Sequence, residues 1–451
     1  MSVCRNSWRR ALILLLALHA FAPGVWPWAE HGPGVAWAQA DGGDDGDDGD
    51  DGDDGDGGGS SGGASADGGG VDAGGQELDP GPREPALPVL AGQFVVDELI
   101  ALNPSPAALQ RVRQWGARVV QSSEQTSLGL RVVRLKLPPG LDARTARDIA
   151  SERDPGVFDL HHQYRLAQPA QETSKACEGP SCAAMAGLDW PADAARCGRE
   201  QVIGMVDAEV ATDLPALRGA DLRTRRFIEP GREPSDAGHG TALATLLVGQ
   251  PGGGLPGLVP RARLLAAVPF FRRPSGDVAA DALGLVRSLD WLVAERVQVI
   301  GMSLTGPPNL VLAGAIARAQ ARGVVVVAAV GNGGRNAEPA HPAALAGVIG
   351  ATAVSSDRRI YWRAQQGDTV DFALPGVDLP TADAAGAVRP RSGTSYAVPF
   401  LVAKLSQSLQ EGRLSRADWL TGGTVPVADL GAPGRDAVFG WGMPRVPLRC
   451  G

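Results

Sequence analysis

Runs of apolar residues, separated by segments with helical periodicity, dominate the second half of the chain. Each run is five to seven residues long, is rich in Val, Ile, Leu and Ala, and has hardly any polar position inside it. Strands that are apolar on both sides are typical of a parallel sheet covered by helices on both faces. The pattern therefore predicts an α/β domain over residues 171–451. Its clearest predicted strands are residues 202–206, 264–268, 297–303, 324–329 and 348–352.

A shorter and more alternating pattern occupies residues 89–170. Apolar and basic residues alternate over residues 133–137 and stop at Pro138, which predicts a half-buried strand. The order of elements is βαββαβ, which predicts a small α+β, ferredoxin-like unit. Its predicted strands are residues 94–99, 118–120, 133–137 and 154–166, and its predicted helices lie around residues 109–115 and 142–153.

The N-terminus has the pattern of a signal peptide over residues 1–40. Three arginines precede an apolar run at residues 11–18, and the small residues Ala38 and Ala40 have the spacing that a signal peptidase accepts. The alternative is an uncleaved membrane anchor. Because the apolar run ends near Ala22, it is shorter than the roughly 20 residues that cross a bilayer. We therefore expect cleavage after Ala40 and no membrane contact afterwards.

An acidic tract follows and accounts for the low isoelectric point of 5.4. Residues 41–79 carry 13 Asp and one Glu with no Lys or Arg, a charge of −14, whereas the whole chain is −8. The rest of the chain is thus +6, and the acidity indicates little about a substrate. Residues 41–88 are predicted to be a solvated, disordered linker. Calcium binding is the alternative, but the Asp-Asp-Gly repeats lack the apolar position of β-roll repeats and the terminal Glu of an EF-hand.

Three residues suited to nucleophilic chemistry occur in the order Asp207, His239, Ser395. Asp207 ends an apolar strand, His239 lies at a predicted helix start, and Ser395 follows a glycine turn that leads into an apolar helix. A serine hydroxyl becomes a good nucleophile when an imidazole takes its proton and a carboxylate orients that imidazole. A helix N-terminus adds donors for a developing oxyanion. Pro399 fits a first helical turn, where its missing N–H costs no hydrogen bond.

These segments resemble the subtilisin-like serine peptidases, whose aspartate, histidine and serine occur in the same order. Residues 323–332 resemble the strand that delivers the oxyanion asparagine of the family, which makes Asn332 the implied donor. Residues 299–306 resemble the strand along which substrate lies, and residues 371–377 the segment before the nucleophile turn. The resemblance covers residues 190–444. It implies a serine endopeptidase acting on polypeptides.

The resemblance also implies a substrate cleft and an inhibitor. Small, uncharged residues form the expected walls of the specificity pocket, so we expect apolar or medium-sized side chains at the cleaved residue. The unit at residues 89–170 resembles the inhibitory propeptide of the family, which implies a self-inhibited precursor. An independent binding domain is the alternative for this unit. The substrate-binding residues implied by the resemblance are Ser303, Leu304, Thr305, Gly306, Ala329, Val330 and Gly331.

The chain departs from the family pattern beside the aspartate. The family usually continues with Thr or Ser and then Gly, whereas this chain has Ala208 and Glu209. Ala242 stands where many relatives have a second histidine, and Tyr396 where Met is common. A catalytically silent, peptide-binding protein is therefore the main alternative function. An esterase is disfavoured because the Gly-x-Ser-x-Gly elbow and the Ser, Asp, His order of α/β-hydrolases are missing.

The cysteines agree with export to the periplasm or the medium. Cys177, Cys182, Cys197 and Cys450 remain after signal cleavage, an even number that allows three disulfide connectivities. We favour Cys177 with Cys182 and Cys197 with Cys450 over a zinc site. No cofactor is expected to be required, and a structural calcium ion cannot be assigned to any residues. We expect a monomer that binds polypeptide substrates and its own propeptide, without a nucleic-acid partner.

Overall fold

The structure is a computed structural model that describes residues 90–91, 93–167 and 194–450. The predicted signal peptide, most of the predicted linker and the Cys177–Cys182 pair lie outside the described residues. The strands β1 to β20 are, in order, Leu90–Ala91, Phe94–Leu102, Arg118–Gln125, Leu130–Lys136, Phe158–Leu166, Val202–Val206, Leu222–Arg226, Glu233–Pro234, Arg263–Val268, Phe270–Arg272, Val278–Asp281, Val299–Met302, Leu304–Thr305, Val325–Ala329, Val348–Val354, Phe372–Pro375, Leu379–Ala382, Val388–Arg391, Val427–Ala428 and Met443–Pro444. The helices α1 to α7 are Pro106–Gln114, Ala143–Arg153, Gly238–Val248, Ala282–Ala294, Leu310–Ala321, Thr394–Gln410 and Arg416–Thr421.

A seven-stranded sheet forms the centre of residues 194–450. Its strand order is β16-β15-β14-β12-β6-β9-β7, and every neighbouring pair is parallel. The predicted α/β fold class and the predicted strands are confirmed, with shifts of one or two residues at their ends. Strand β12 is shorter than predicted, because Ser303 leaves the sheet and the chain continues as β13 in another one.

Helices cover both faces of this sheet. Val325 and Val327 of β14 pack in one apolar cluster and Val326 in another, because side chains alternate along a strand. The first cluster contains the apolar residues of α3 and α6, and the second contains those of α4 and α5. Parallel strands buried on both sides need such continuous apolar sequence. The carboxyl ends of β6 and β14 therefore meet at one edge, where Asp207 and Asn332 follow.

Residues 93–167 form the predicted βαββαβ unit, hereafter called the prodomain after the resemblance described above. Its sheet order is β3-β4-β2-β5 with antiparallel pairing, and α1 and α2 cover one face around Leu99, Val112 and Leu135. The side chain of Asp142 accepts a hydrogen bond from Thr145 N and caps α2 where the sequence places its start. The order of elements is confirmed, and β3 and β4 are longer than predicted.

The other face of the prodomain sheet packs on residues 194–450, hereafter called the catalytic part after the same resemblance. Ile100, Leu130 and Val132 belong to the same apolar cluster as the residues of α4 and α5. Strand β5 also pairs antiparallel with β11 and with β13, so the prodomain sheet continues into a nine-stranded sheet. The prodomain thus contributes one strand to the groove between β11 and β13.

Two further features concern the boundary of the fold. Cys197 and Cys450, one of the favoured pairs, lie close enough to be bonded, with 4.4 Å between their Cα atoms. This pair lies near the start and the end of the catalytic part. None of the helices in the described ranges has the length and apolar character needed to cross a membrane.

Candidate active site

Asp207 and His239 face each other at the carboxyl edge of the parallel sheet. Asp207 directly follows β6, and His239 is the second residue of α3. His239 Nδ1 lies 2.8 Å from Asp207 Oδ1, and both side chains are fully buried. Because a carboxylate only accepts, Nδ1 carries the proton in this contact and Nε2 is left free to accept one. Within the described residues His239 Nε2 has no hydrogen-bond partner.

A glycine lets this helix approach the strand. A Cβ atom on Gly240 would lie 2.4 Å from the carbonyl oxygen of Ala208 and 2.5 Å from that of Glu209. Such distances are far shorter than any side-chain contact allows, so only glycine fits this position. The close approach of α3 to the segment after β6 is what brings His239 within hydrogen-bond distance of Asp207.

Ser395 is the second residue of α6 and is fully buried. The prediction for Pro399 is wrong, because this proline is the sixth residue of the helix and lies beyond its first turn. Its ring nitrogen has no hydrogen to donate to the carbonyl oxygen of Ser395. Ser303 Oγ donates to that oxygen instead, at 3.1 Å. The helix therefore tolerates the proline, and the expected substrate-binding strand supports the turn that carries Ser395.

Asn332 lies next to Ser395 and is held in place by Thr394, the residue before Ser395. Its Oδ1 atom accepts hydrogen bonds from Thr394 N and from Thr394 Oγ1, both at 3.0 Å. Gly331 N in turn donates to Thr394 Oγ1 at 3.2 Å. This orientation points the amide group of Asn332 at Ala167, whose carbonyl oxygen accepts from Asn332 Nδ2 at 2.6 Å. Ser395 Oγ donates to the same oxygen.

The end of the prodomain lies along the expected substrate strand. Ala167 N donates to Ser303 O at 3.0 Å, and Leu166 and Arg165 pair with Leu304 and Thr305. A backbone bound in extended form with its carbonyl at Ser395 is the arrangement that a peptide substrate needs.

Tyr164 anchors the same segment three residues before Ala167. It is fully buried, its ring occupies the space that a Cβ on Gly306 would fill, and its hydroxyl donates to Pro307 O at 3.0 Å. All four residues of the expected strand, Ser303 to Gly306, thus contact residues 164–167. Ala329 and Val330 are buried at the end of β14, and Gly331 lies beside Asn332.

The departures from the family pattern leave the buried pair intact. The carboxylate of Glu209 binds Arg226, with one contact of 2.5 Å and one of 3.3 Å. Ala242 is buried in the core of α3. The ring centroid of Tyr396 lies 5.5 Å from that of His239, and burial raises the pKa of its hydroxyl to about 12. Tyr396 is therefore neutral near pH 7, and Glu209 adds no free charge beside Asp207.

A buried charge cluster lies further back on β5, between the prodomain and the catalytic part. His161 Nδ1 is 2.8 Å from Glu98 Oε2 of β2, and His161 Nε2 is 3.6 Å from Asp281 Oδ1 of β11. Arg134 lies 3.9 Å from Glu98 on the prodomain side, and Arg232 faces both carboxylates from the catalytic side. All three central side chains are almost completely buried. A buried pair of carboxylates needs such a cation between them.

The pKa values of this cluster follow from burial and opposite charge. Burial alone lowers the pKa of His161, but attraction to Asp281 and Glu98 outweighs it and raises this pKa to about 9. Burial alone raises the pKa of Asp281, but His161, Gly284 N and Arg232 lower it to about 2. His161 is thus a cation and Asp281 an anion at neutral pH.

The sequence did not indicate every residue that shapes this site. Ala167, Tyr164 and the orienting role of Thr394 were missed. A signal existed for Thr394, since it directly precedes the predicted nucleophile, whereas nothing in the pattern marked which residue of the strand ending at 166 would reach Ser395. Among the described residues, no group of three or more His, Cys, Asp or Glu side chains could hold a metal ion.

Several known proteases are similar to this chain in sequence. The chain is 30% identical over 214 residues to the "Minor extracellular protease Epr" of Bacillus subtilis, covering 46% of this chain and 32% of that protein. It is 30% identical over 215 residues to "Thermitase" of Thermoactinomyces vulgaris, covering 47% of this chain and 75% of that protein. It is 28% identical to the "Major intracellular serine protease" of Bacillus subtilis, covering 46% of this chain and 68% of that protein. The chain therefore spans about a third of the first relative and more of the others.

Solved structures share the fold. Fervidolysin from Fervidobacterium pennivorans, described as a keratinolytic enzyme related to subtilisin, matches with a TM-score of 0.63 and 19% identity, covering 80% of this chain and 62% of that one. The epidermin leader peptide processing serine protease of Staphylococcus aureus matches with a TM-score of 0.59 and 14% identity, covering 78% and 97%. The sequence model of the Subtilase family matches residues 198–442, more than half of the chain. This protein therefore belongs to the subtilase family.

Proposed function

We propose that this protein is an exported serine endopeptidase made as a self-inhibited precursor, and that the peptide bond between Ala167 and Gln168 is its first substrate. The observation that carries the proposal is the position of the Ala167 carbonyl oxygen. It accepts hydrogen bonds from both Ser395 Oγ and Asn332 Nδ2, while the backbone before it pairs with Ser303–Thr305 as an added strand.

The chemistry follows from the groups around this carbonyl. Ser395 Oγ bonds to the Ala167 carbonyl carbon as its proton moves to His239 Nε2, and Asp207 stabilises the imidazolium that forms. Negative charge then develops on the Ala167 oxygen, where the Asn332 amide and the N-terminus of α6 stabilise it. The C–N bond to Gln168 breaks as His239 returns the proton to the leaving nitrogen. Water, deprotonated by His239, releases the Ala167 carboxylate and restores Ser395.

The same contacts make the prodomain an inhibitor. After cleavage, β5 keeps its pairing with β11 and β13, its buried Tyr164 and the charge cluster at His161. These contacts hold the product strand in the cleft and exclude other polypeptides. The prodomain also supplies a preformed edge for a catalytic part whose parallel pairing is non-local and slow to form.

Export is the compartment that the cysteines and the N-terminus favour. Residues 1–40 have the pattern of a signal peptide, and Cys197 and Cys450 lie close enough to form a disulfide that persists in an oxidising compartment. Cleavage after Ala40 would leave the acidic linker at the N-terminus of the precursor. Extracellular and intracellular relatives both occur, so the signal peptide is what favours export here.

The test is self-processing of the precursor. The chain from residue 41 is produced as wild type and as Ser395→Ala, and its size is followed by intact mass and N-terminal sequencing. We expect the wild type to give a new N-terminus at Gln168 and Ser395→Ala to stay intact. A serine-reactive fluorophosphonate probe should label the wild type alone.

A catalytically silent protein gives a different outcome. Neither form would then be cut, neither would react with the probe, and neither would hydrolyse peptides. Cleavage of both forms at the same bond would point to another protease and would also contradict the proposal.

A further inference from the structure

The side-chain pocket beside Ala167 is narrower than its small wall residues suggest. By the resemblance described above, the walls of this pocket are Ser303–Gly306 on one side and Ala329–Gly331 on the other. Ala167 is 3% exposed, and its backbone is fixed from both sides by Ser303 O and Asn332 Nδ2. A larger side chain at this position would need open space between the two segments.

Gln365 lies close to one residue of each segment, Gly331 and Thr305. A Cβ atom on Gly331 would lie 1.7 Å from Gln365 Oε1 and 3.4 Å from the Thr305 methyl carbon, Cγ2. The amide group of Gln365 therefore lies against Gly331, on the side that faces Thr305. Gln365 comes from the loop between β15 and β16, which the sequence analysis did not connect with the site.

Gln365 is anchored at both its backbone and its side chain. Its backbone N donates to Gly331 O at 3.0 Å, its Nε2 donates to Glu338 O at 2.6 Å, and the residue is 6% exposed. Moving the side chain aside would break the hydrogen bond from Nε2 of this buried residue to Glu338 O, and a buried donor that loses its partner is destabilising. A bulky substrate residue would also force a well-packed region to rearrange. The obstruction is therefore built into the fold.

We propose that Gln365, opposite Thr305, closes the pocket for the cleaved residue, so that the site accepts Ala or Gly and rejects larger side chains. The proposal rests on the proposed peptidase function. It narrows the expectation of apolar or medium-sized residues, and it explains why Ala167 is the residue at Ser395. Gln365 in the pocket would repel larger side chains of a substrate. Such repulsion gives specificity without new contacts to the preferred substrate.

The first experiment uses self-processing of the full chain. Ala167→Gly and Ala167→Phe are each placed in the wild-type, Gln365→Ala and Gln366→Ala backgrounds, and the fraction cut at the bond after residue 167 is measured over time. Gln366→Ala is the matched control because it removes the adjacent glutamine, which has no described contact with Gly331. We expect Ala167→Gly to be cut, Ala167→Phe to stay intact, and Gln365→Ala, not Gln366→Ala, to restore cutting of Ala167→Phe.

The second experiment gives a result even if the Ala167→Phe precursor does not fold. Processed enzyme hydrolyses chromogenic peptides that copy residues 164–167 with Ala, Leu or Phe at the last position. We expect kcat/KM to favour Ala over Phe by about 100-fold or more, and Gln365→Ala to reduce this ratio by about tenfold or more. Gln366→Ala should keep the ratio within about twofold of the wild type.

Two results overturn the inference. One is equal cleavage of the Ala and Phe peptides by the wild-type enzyme, and the other is a Gln365→Ala ratio that equals that of Gln366→Ala. A wild-type chain that is neither cut nor reactive toward a serine probe instead contradicts the proposed function, so the two failures are distinct.

Discussion

The two ends of strand β5 are held in the molecule by different kinds of interaction. Over residues 158–163 the strand pairs with β2 of its own domain, and buried charges at His161 bind it to Asp281. Over residues 164–167 its backbone pairs with β11 and β13. This pairing places the carbonyl oxygen of Ala167 at Ser395 and Asn332. The first part depends on particular side chains, whereas most contacts of the second part would serve many sequences.

This difference separates the contacts that keep the prodomain bound from the contacts that speed cleavage of the peptide bond. A charge cluster that needs His161 and Glu98 of the prodomain can hold the inhibitor, because ordinary substrates lack these side chains. Backbone contacts and an oxyanion donor act on any peptide that enters the cleft, and they matter most in the transition state. Changes at the His161 end should therefore alter how long the prodomain stays bound, and changes at the Ala167 end should alter how fast the bond breaks.

The largest effect tests the reactive end. Asn332→Ala removes the donor that lies 2.6 Å from the Ala167 oxygen, so it should slow self-processing by about 10²–10³-fold. The dissociation rate of the processed prodomain should change far less, because β5 keeps its strand pairing. Processing is followed by gel densitometry, and dissociation by the return of peptidase activity after dilution. If Asn332→Ala is processed at the wild-type rate, Asn332 does not stabilise the oxyanion.

The next effect tests the charged end through pH. Burial alone lowers the pKa of His161, but Asp281 and Glu98 raise it to about 9, and only Asp281 is lost when the prodomain dissociates. The contribution of His161 to prodomain binding is therefore complete below the pKa of His161 in the free prodomain, where Glu98 still lies beside His161, and is lost as pH rises through 9. Dissociation of the processed prodomain should accelerate by roughly tenfold between about pH 6 and 9.5. Asp281 stays ionised throughout, because its pKa is about 2. Glu98, Arg134 and Arg232 face the same cluster.

Adjacent histidines provide the control for this pH effect. His161→Gln should flatten the alkaline acceleration, whereas His162→Gln should retain it, because the nearest polar partner of His162 is Asn309 and burial lowers its pKa. The dissociation rate is measured for all three proteins between pH 6 and 9.5. Equal pH profiles for the wild type and His161→Gln would contradict the role of this cluster.

Much of this arrangement could be predicted from the sequence, and the missing parts have a common physical cause. Buried parallel strands are recognisable in a sequence as apolar runs, so the sheet and the placement of Asp207 and Asn332 at its edge were predictable. Contacts between segments far apart in the chain were not. The charge cluster at His161 is an example, because its two carboxylates come from β2 and from the catalytic part. Gln365 was missed because its loop has no periodicity, and Pro399 was misplaced because Ser303, about ninety residues away, compensates for it.

The smallest effect tests how much the side chain of Tyr164 adds to the backbone contacts of the cleft end. Tyr164→Phe keeps the buried ring beside Gly306 and removes only the hydroxyl that donates to Pro307 O at 3.0 Å. A single neutral hydrogen bond contributes about 1 kcal/mol, so the processed prodomain should dissociate about fivefold faster at every pH. Because a tyrosine whose pKa is raised by burial stays neutral, this change should shift the rate without altering its pH profile. Dissociation is measured as for His161→Gln, and self-processing of the same variant should keep its wild-type rate. A Tyr164→Phe variant that loses the alkaline acceleration would show that the two ends of β5 act together and not separately.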